Sequence, residues 1–174
     1  WEKIAEENGI TSFKKPVPGS KIVGFKGETV INASIPRILW VLTDNKYRTK
    51  WVHRLKSSRV LKRISQYEAV IYQIFGLPFP ISNRDYVYRA RVYRRGENAV
   101  VNIKSEFSPD APSPSGVRAH LSHCEYLLEP RGPNQTFIKV EVHTDPRGWL
   151  PSWLVNMIQK KWPIRTLSVI KRMV

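Results

Sequence analysis

The middle of the chain contains six consecutive segments with the composition of β-strands, and this run constrains the fold more than any other feature. Each segment is short, rich in β-branched and aromatic residues, and separated from the next by a turn or loop. The segments are residues 59–65, 68–75, 84–95, 99–107, 117–129 and 136–144. Because short connections join antiparallel neighbours, the pattern predicts an antiparallel meander.

The residues before this run predict a mixture of helix and strand. Residues 1–8 have apolar side chains at helical spacing, which predicts the end of a helix. Residues 10–17 and 21–32 predict extended segments. Ser34 is suited to the N-cap of a following helix that has a proline in its first turn. A second short helix is predicted over residues 45–51.

The C-terminal stretch, residues 150–174, has the pattern of one long amphipathic helix. It contains five basic residues and no acidic one, so one side is cationic. Pro163 is expected to bend this helix or divide it, because a proline removes a backbone donor and clashes with the preceding turn. The other side is apolar, with residues at helical spacing: Leu150, Trp153, Leu154, Met157, Ile158, Leu167 and Ile170.

The net charge is strongly positive. The chain has 29 Lys and Arg against 14 Asp and Glu, a formal charge of +15, which attracts nucleic acid, anionic lipid surfaces or acidic partners. A nucleic-acid binder would have its basic residues on one stripe interleaved with exposed aromatic residues. Here they are spread over most of the strand segments, so we expect no specific nucleic-acid partner.

Size and cysteine content predict one domain over residues 1–174. A chain of this length with 41% hydrophobic residues can bury a single core, and no apolar run approaches the roughly 20 residues of a membrane-spanning helix. The single cysteine, Cys124, excludes an internal disulfide and mildly favours a reducing compartment. We expect a cytoplasmic monomer that visits membranes peripherally, although a targeting segment can precede Trp1.

Two long motifs resemble a known family. Residues 78–88 read Pro-Phe-Pro-Ile-Ser-Asn-Arg-Asp-Tyr-Val-Tyr, and residues 148–156 read Gly-Trp-Leu-Pro-Ser-Trp-Leu-Val-Asn. With these motifs in this order, the chain resembles the START domain, the steroidogenic acute regulatory protein-related lipid-transfer family, over essentially its whole length. The resemblance implies an α+β helix-grip fold, in which a curved antiparallel β-sheet wraps around a long C-terminal α-helix and encloses a hydrophobic tunnel for one lipid.

The resemblance also implies a gate and a ligand site. The gate consists of the C-terminal helix, residues 151–174, and the apolar loop of residues 76–83, called the gate loop below. We expect the ligand to contact residues of the tunnel and gate: Arg84, Tyr86, Tyr88, Leu77, Phe79, Ile103, Val140, Val142, Trp149, Trp153, Leu154, Met157 and Ile158. We expect the basic residues of the helix to dock on an anionic membrane: Lys160, Lys161, Arg165, Lys171 and Arg172.

The identity of the lipid stays open at this point. In phosphatidylcholine-binding relatives the arginine at the position of Arg84 contacts phosphate, but Val142 and Thr144 stand where those relatives have an aromatic residue and an amide. In sterol-binding relatives a buried acid and an arginine face the sterol, and Ile71 and Ala90 occupy the matching positions here. Arg84 could alternatively form a structural ion pair with the adjacent aspartate.

An enzyme of the same superfamily, such as a cyclase or hydrolase acting on a hydrophobic molecule in the tunnel, is the alternative function. It would need an acid or histidine facing the tunnel, and the candidates are Glu106, His120 and His143. No catalytic motif is visible, so we predict no catalytic residues and no cofactor. We also predict no metal site, because His120 and His123 point to opposite faces of a strand.

Overall fold

The computed structural model describes residues 1–174 as one curved antiparallel sheet with four helices. The strands lie in the order β1-β2-β3-β10-β9-β7-β6-β5-β4, and β8 pairs in parallel with the start of β6. In chain order the elements are β1 (Glu2–Glu7), β2 (Ile10–Lys15), β3 (Gly24–Ile31), α1 (Ile35–Thr43), α2 (Arg48–Trp51), β4 (Leu55–Ser65), β5 (Glu68–Phe75), β6 (Arg84–Arg95), β7 (Asn98–Ser105), β8 (Val117–Arg118), β9 (His120–Gly132), β10 (Gln135–Asp145), α3 (Ser152–Gln159) and α4 (Trp162–Met173). This is the helix-grip fold.

The six predicted central strands are present, but one of them is divided into two shorter strands. The predicted strand of residues 117–129 forms two strands, β8 and β9, because Ala119 donates its backbone N–H to Asp85 of β6 instead of continuing the β9 ladder. The remaining strands pair in antiparallel fashion, and β3 closes against β10 with Val140 opposite Gly27. The predicted meander is therefore confirmed.

The N-terminal prediction was wrong: residues 1–8 form a strand, not the end of a helix. β1 pairs with β2, and Asn8 and Gly9 form the turn between them with φ angles of 52° and 74°. Asn-Gly is the preferred pair for a two-residue hairpin turn, in which both central residues need positive φ. This turn signal outweighs a helical spacing that extends over only two turns.

Helix α1 begins at Ile35, directly after the predicted N-cap residue Ser34. The Ser34 hydroxyl accepts a hydrogen bond from the backbone N–H of Arg37 at 3.4 Å, and Pro36 lies in the first turn. Ile38 and Leu42 are buried against the sheet. Helix α2 is shorter than predicted and has only four residues.

The C-terminal stretch forms two helices. α3 ends at Gln159 and α4 begins at Trp162, so Pro163 lies in the first turn of α4, where its missing N–H has no intrahelical partner to lose. α4 packs directly on β3 at Gly27, where an added Cβ would lie 2.8 Å from Cβ of Pro163 and 2.9 Å from Cδ1 of Leu167. None of the four helices has both the length and the apolar character needed to cross a bilayer.

Candidate functional site

A cavity of about 270 Å³ lies between the concave face of the sheet and helices α2, α3 and α4. Its lining is mostly apolar and aromatic. Inward-facing side chains of β5, β6, β7, β9 and β10 form one wall, because alternate residues of a strand point to the same side. Trp51, Val155, Trp162 and Val169 close the cavity from the helices. The arrangement is a site for an apolar ligand with a few polar contacts.

Seven of the predicted tunnel and gate residues line this cavity: Arg84, Tyr86, Tyr88, Leu77, Ile103, Val142 and Ile158. Two others do not, although they are at least partly buried. Val140 is fully buried, and it lies opposite Gly27, where α4 rests directly on the sheet and leaves no space for a ligand. Leu154 is half-buried on α3, one residue before the cavity-lining Val155.

The other four predicted residues face solvent instead of the cavity. Phe79, at the tip of the gate loop, is 97% exposed, and Trp149 is 90% exposed. Trp153 and Met157 of α3 are also exposed, because they lie on the side of this helix opposite the buried Val155. These four side chains expose apolar area on the gate loop, on the linker that precedes α3 and on α3 itself.

Arg84 fastens the gate loop to the linker of residues 146–151. The side chain is buried, and its nitrogens donate to four backbone carbonyls: Nη1 to Ser82 at 2.8 Å and to Asn83 at 3.3 Å, Nε to Pro146 at 2.7 Å and Nη2 to Arg147 at 3.2 Å. Burial lowers the pKa of Arg84. The guanidinium therefore holds two segments of the entrance together.

The alternative of an ion pair between Arg84 and Asp85 was wrong. Adjacent residues of a strand point to opposite faces, so Asp85 lies on the convex side. There its fully buried carboxylate accepts hydrogen bonds from Nε of Arg118 at 2.6 Å, the hydroxyl of Tyr72 at 2.7 Å and the backbone N–H of Ser115 at 2.8 Å. Burial alone would raise the pKa of Asp85, but these hydrogen bonds outweigh it and lower the pKa.

The inner end of the cavity contains a second buried arginine that the sequence did not single out. Arg48 of α2 donates from Nη1 to the carbonyl oxygen of Leu42 at 2.8 Å and has no carboxylate partner. Nearby, the Tyr88 hydroxyl donates to Oε1 of Gln73. Arg48 lies in a predicted helix among other basic residues, and nothing in its local sequence distinguishes it from Lys46 or Lys50.

Other polar groups lie where β10 meets α3. The hydroxyls of Tyr86 and Thr144 share a hydrogen bond of 2.8 Å, and Nε2 of Gln159 donates to the carbonyl oxygen of Thr144 at 3.1 Å. Oε1 of Gln159 is buried and accepts no hydrogen bond from the protein. Burial raises the pKa of the Cys124 thiol to about 12, which keeps this lining residue protonated and unreactive at neutral pH.

The residues considered for catalysis lie outside the cavity. Glu106 pairs with Arg89 at 3.0 Å, and Nε2 of His143 lies 3.1 Å from the carbonyl oxygen of Ile22. His120 is likewise absent from the lining. No Asp or Glu contacts the cavity. Apart from tyrosines and the Cys124 thiol, its titratable lining residues are all basic: Arg48, His53, Arg54, Arg84 and Arg165.

The basic residues predicted to dock on a membrane occupy different environments. Lys160, Lys161 and Arg172 are exposed. Lys171 is half-buried, and its ammonium donates to the carbonyl oxygen of Asn8 at 3.2 Å, which ties α4 to the first hairpin. Arg165 is exposed but also lines the cavity, so it lies at the edge of the opening.

A curved sheet that wraps around a C-terminal helix, with an apolar cavity between them, defines a ligand-binding domain of the helix-grip class. The family model described as the START domain matches residues 1–168, and the chain belongs to this family. The chain is 30% identical over 166 residues to the phosphatidylcholine transfer protein of Mus musculus, covering 92% of this chain and 77% of that protein.

Two solved structures have the same architecture. The STAR-related lipid transfer protein from Xanthomonas axonopodis (fragment 25–204) superposes with a TM-score of 0.85 at 26% identity, covering 99% of this chain and 97% of that one. Human StAR-related lipid transfer protein 5 superposes with a TM-score of 0.90 at 22% identity, covering 100% and 86%. The relatives described here are named as lipid-transfer proteins.

Proposed function

We propose that this protein binds one lipid, or a similar hydrophobic molecule, in the cavity and exchanges it at membranes. The observation that carries the proposal is the cavity itself: an apolar and aromatic space that is enclosed by the sheet and the C-terminal helices and has few polar groups. Removal of an acyl chain from water into such a space is favourable by about 0.8 kcal/mol per buried CH₂. Membership of a family with lipid-transfer relatives supports the same reading.

The exposed aromatic residues support a membrane-docking step. Phe79 and Trp149 are almost fully exposed, which is costly in water but favourable at the boundary between head groups and acyl chains. Lys160 and Lys161 follow α3 directly and are exposed as well. Near an anionic surface each basic residue contributes roughly 1 kcal/mol of attraction. Together these side chains give the entrance an apolar and cationic surface.

Exchange requires the entrance to open, and α3 is the part we propose to move. Helix α3 is held to the rest of the fold mainly by hydrogen bonds of one side chain, Asn156. Oδ1 of Asn156 accepts from the backbone N–H of Val23 at 3.0 Å, and Nδ2 donates to the carbonyl oxygen of Lys21 at 3.2 Å. Only Val155 of α3 is buried, whereas α4 buries Pro163, Leu167 and Ile170. Movement of α3 away from the gate loop, with α4 fixed, would expose the cavity.

A transfer assay between vesicles tests this proposal. Donor vesicles contain a fluorescent lipid and a quencher, acceptors contain neither, and both include anionic lipid. We expect the protein to accelerate transfer, and the double variant Phe79→Ser/Trp149→Ser to lose most of this activity while it retains bound lipid. Tyr67→Ser is the matched control, because Tyr67 is 60% exposed in the β4–β5 turn, at the opposite end of β5 from the gate loop.

Two outcomes would contradict the proposal. Transfer no faster than in the absence of protein would contradict lipid exchange. Equal loss of activity in the Tyr67→Ser control and the double variant would contradict docking through the gate.

Catalysis in the same cavity has less support. A hydrolase or cyclase needs a general base positioned near the substrate, and His53 is the lining histidine. Its neighbours there are arginines, and no carboxylate is available to orient it or stabilise its charged form. Binding and exchange require none of these groups.

A further inference from the structure

The cavity reaches solvent at a small set of side chains. Most of its lining residues are buried or half-buried, and the exposed ones are His53, Arg54, Ile158 and Arg165. His53 and Arg54 belong to the connection between α2 and β4, and Arg165 comes from α4. Three of the four residues at the mouth are therefore basic, and they come from two separate parts of the chain. His53, Arg54 and Arg165 are called the mouth cluster below.

The mouth cluster has no counter-charge within the protein. The side chains of Arg54 and Arg165 form no salt bridge and no hydrogen bond, whereas Arg89 and Arg95 of the sheet are paired with glutamates. No Asp or Glu lines the cavity. Partial desolvation lowers the pKa of His53, which is exposed as a whole residue, and the positive charges of Arg165 and Arg54 lower it further, so the three groups are close enough to affect one another. Like charges brought together in this way create a local potential that attracts an anion.

The backbone at the mouth is held in an unfavourable conformation. Arg54 has a φ of 62°, in the left-handed region that residues other than glycine rarely adopt and that costs on the order of 1 kcal/mol. Its carbonyl oxygen accepts a hydrogen bond from the backbone N–H of Gly76 at 2.9 Å, which fixes this connection to the start of the gate loop. The strained backbone thus places an arginine at the opening, beside the segment proposed to form the gate.

From these observations we infer that His53, Arg54 and Arg165 form an anion-binding site at the mouth of the cavity, which holds the phosphate or carboxylate head of an amphiphile whose tail occupies the apolar interior. The inference rests on the proposed function and narrows it to ligands with a net negative charge. Two arginines can each donate a pair of hydrogen bonds to such oxygens. A head group with a quaternary ammonium would find no carboxylate in the lining to offset its positive charge.

Short-chain lipids, used below their aggregation concentrations, test this site without a membrane surface. The probes are dihexanoyl phosphatidic acid, dihexanoyl phosphatidylcholine and dihexanoylglycerol, with binding measured by calorimetry on delipidated protein. We expect the anionic lipid to bind at least about tenfold more tightly than the zwitterionic one. The variant Arg54→Gln/Arg165→Gln is expected to lose about tenfold or more in affinity for phosphatidic acid and to retain its affinity for the uncharged diglyceride.

A matched control separates the site from the general charge of the protein. Arg94→Gln/Lys104→Gln removes two positive charges from exposed residues whose side chains form no hydrogen bond or ion pair and do not line the cavity. This control is expected to bind all three lipids like the unmodified protein. An equal loss of phosphatidic acid affinity in the control would overturn the assignment, because the effect would then come from net charge.

Three other results have distinct meanings. Unchanged phosphatidic acid binding by Arg54→Gln/Arg165→Gln would overturn the mouth site and leave the proposed function intact. Binding of glycerol 3-phosphate or inorganic phosphate as tightly as phosphatidic acid would overturn the assignment to a lipid head, because the tails would then contribute nothing. Absence of binding for all three lipids would contradict the proposed function itself.

Discussion

Nε of Arg84 donates a hydrogen bond to the carbonyl oxygen of Pro146 across 2.7 Å, and this contact joins the gate loop to the linker that precedes α3. The same guanidinium also holds Ser82 and Arg147, so one side chain couples both sides of the entrance. The sequence left two roles open for Arg84, a contact with a lipid phosphate and an ion pair with Asp85. The geometry instead makes it a positioning residue, since its nitrogens are already engaged by carbonyls.

Substitution of Arg84 by lysine tests this role. A lysine keeps the charge, but its compact ammonium lacks the planar guanidinium fork that binds carbonyls of both segments at once. We therefore expect the gate loop and residues 146–151 to exchange amide hydrogens faster, and bound lipid to dissociate severalfold faster. Hydrogen-exchange mass spectrometry and a lipid off-rate assay measure these effects. A selective loss of affinity for phosphate-containing lipids, with unchanged exchange in both segments, would show that Arg84 binds the head group instead.

The packing of α4 on β3 depends on the absence of a side chain at Gly27. An alanine Cβ there would lie under 3.0 Å from Pro163 and Leu167, so Gly27→Ala is expected to displace α4 and destabilise the protein by about 1–3 kcal/mol. Gly24→Ala is the control on the same strand, because its Cβ would have only ordinary contacts of 3.5 Å or more. Urea unfolding of both variants measures the difference. Equal stability of the two would contradict direct packing of the helix on the sheet.

The buried carboxylate of Asp85 holds the loop of residues 108–116 against the convex face of the sheet. Asp85→Asn keeps the shape of the side chain but removes the charge that Arg118 pairs with, so we expect a loss of about 2 kcal/mol in unfolding free energy. The loop should also become more sensitive to limited proteolysis, because the bond from Ser115 weakens. If proteolysis of this loop is unchanged, Asp85 does not hold it. A double-mutant cycle with Arg118→Gln measures the interaction energy between Asp85 and Arg118.

The mouth cluster predicts a pH response with a definite sign. The pKa of His53 is lowered from its ordinary value of 6.5 by burial and by the facing charges of Arg165 and Arg54. The imidazole of His53 therefore binds a proton more readily in the unfolded chain than in the folded protein. The free energy of unfolding should fall as the pH drops from 6.5 through the lowered pKa of His53 in the folded state. A bound anionic lipid should raise this pKa and bind more tightly at lower pH.

NMR titration of the imidazole resonances, assigned with His53→Gln, measures the pKa with and without dihexanoyl phosphatidic acid. A His53 pKa at or above 6.5 in delipidated protein would contradict the geometry of the cluster. A pKa that the anionic lipid leaves unchanged would place the head group elsewhere.

Local sequence patterns predicted most of the sheet and the start of α1. The bounds of β5 and β6 follow from alternation between turns, and the Ser34 cap sets the first turn of α1. The failure at residues 1–8 has a local cause, because the Asn8–Gly9 turn was a stronger signal than the short helical spacing. The two long motifs indicated the family. Residues 78–88 cover most of the gate loop and the start of β6, and residues 148–156 cover the linker and the start of α3.

The roles of individual site residues depended on contacts that local patterns do not encode. Tyr86 and Tyr88 both line the cavity, and strand alternation explains why they lie on one face. The mouth cluster could not be anticipated, since His53 and Arg165 are far apart in sequence and come together only in the folded chain. Trp153 was predicted to contact ligand, yet the side of α3 that faces solvent is decided by Asn156 and its bonds to residues 21–23.

Native mass spectrometry of the purified protein, followed by organic extraction and identification of the released molecules, tests the central claim most directly. We predict one lipid per chain, with an anionic head group, and loss of that mass on delipidation. A chain that has no such adduct, and that also takes up no lipid from mixed anionic vesicles, would contradict the claim that this cavity is a lipid-binding site.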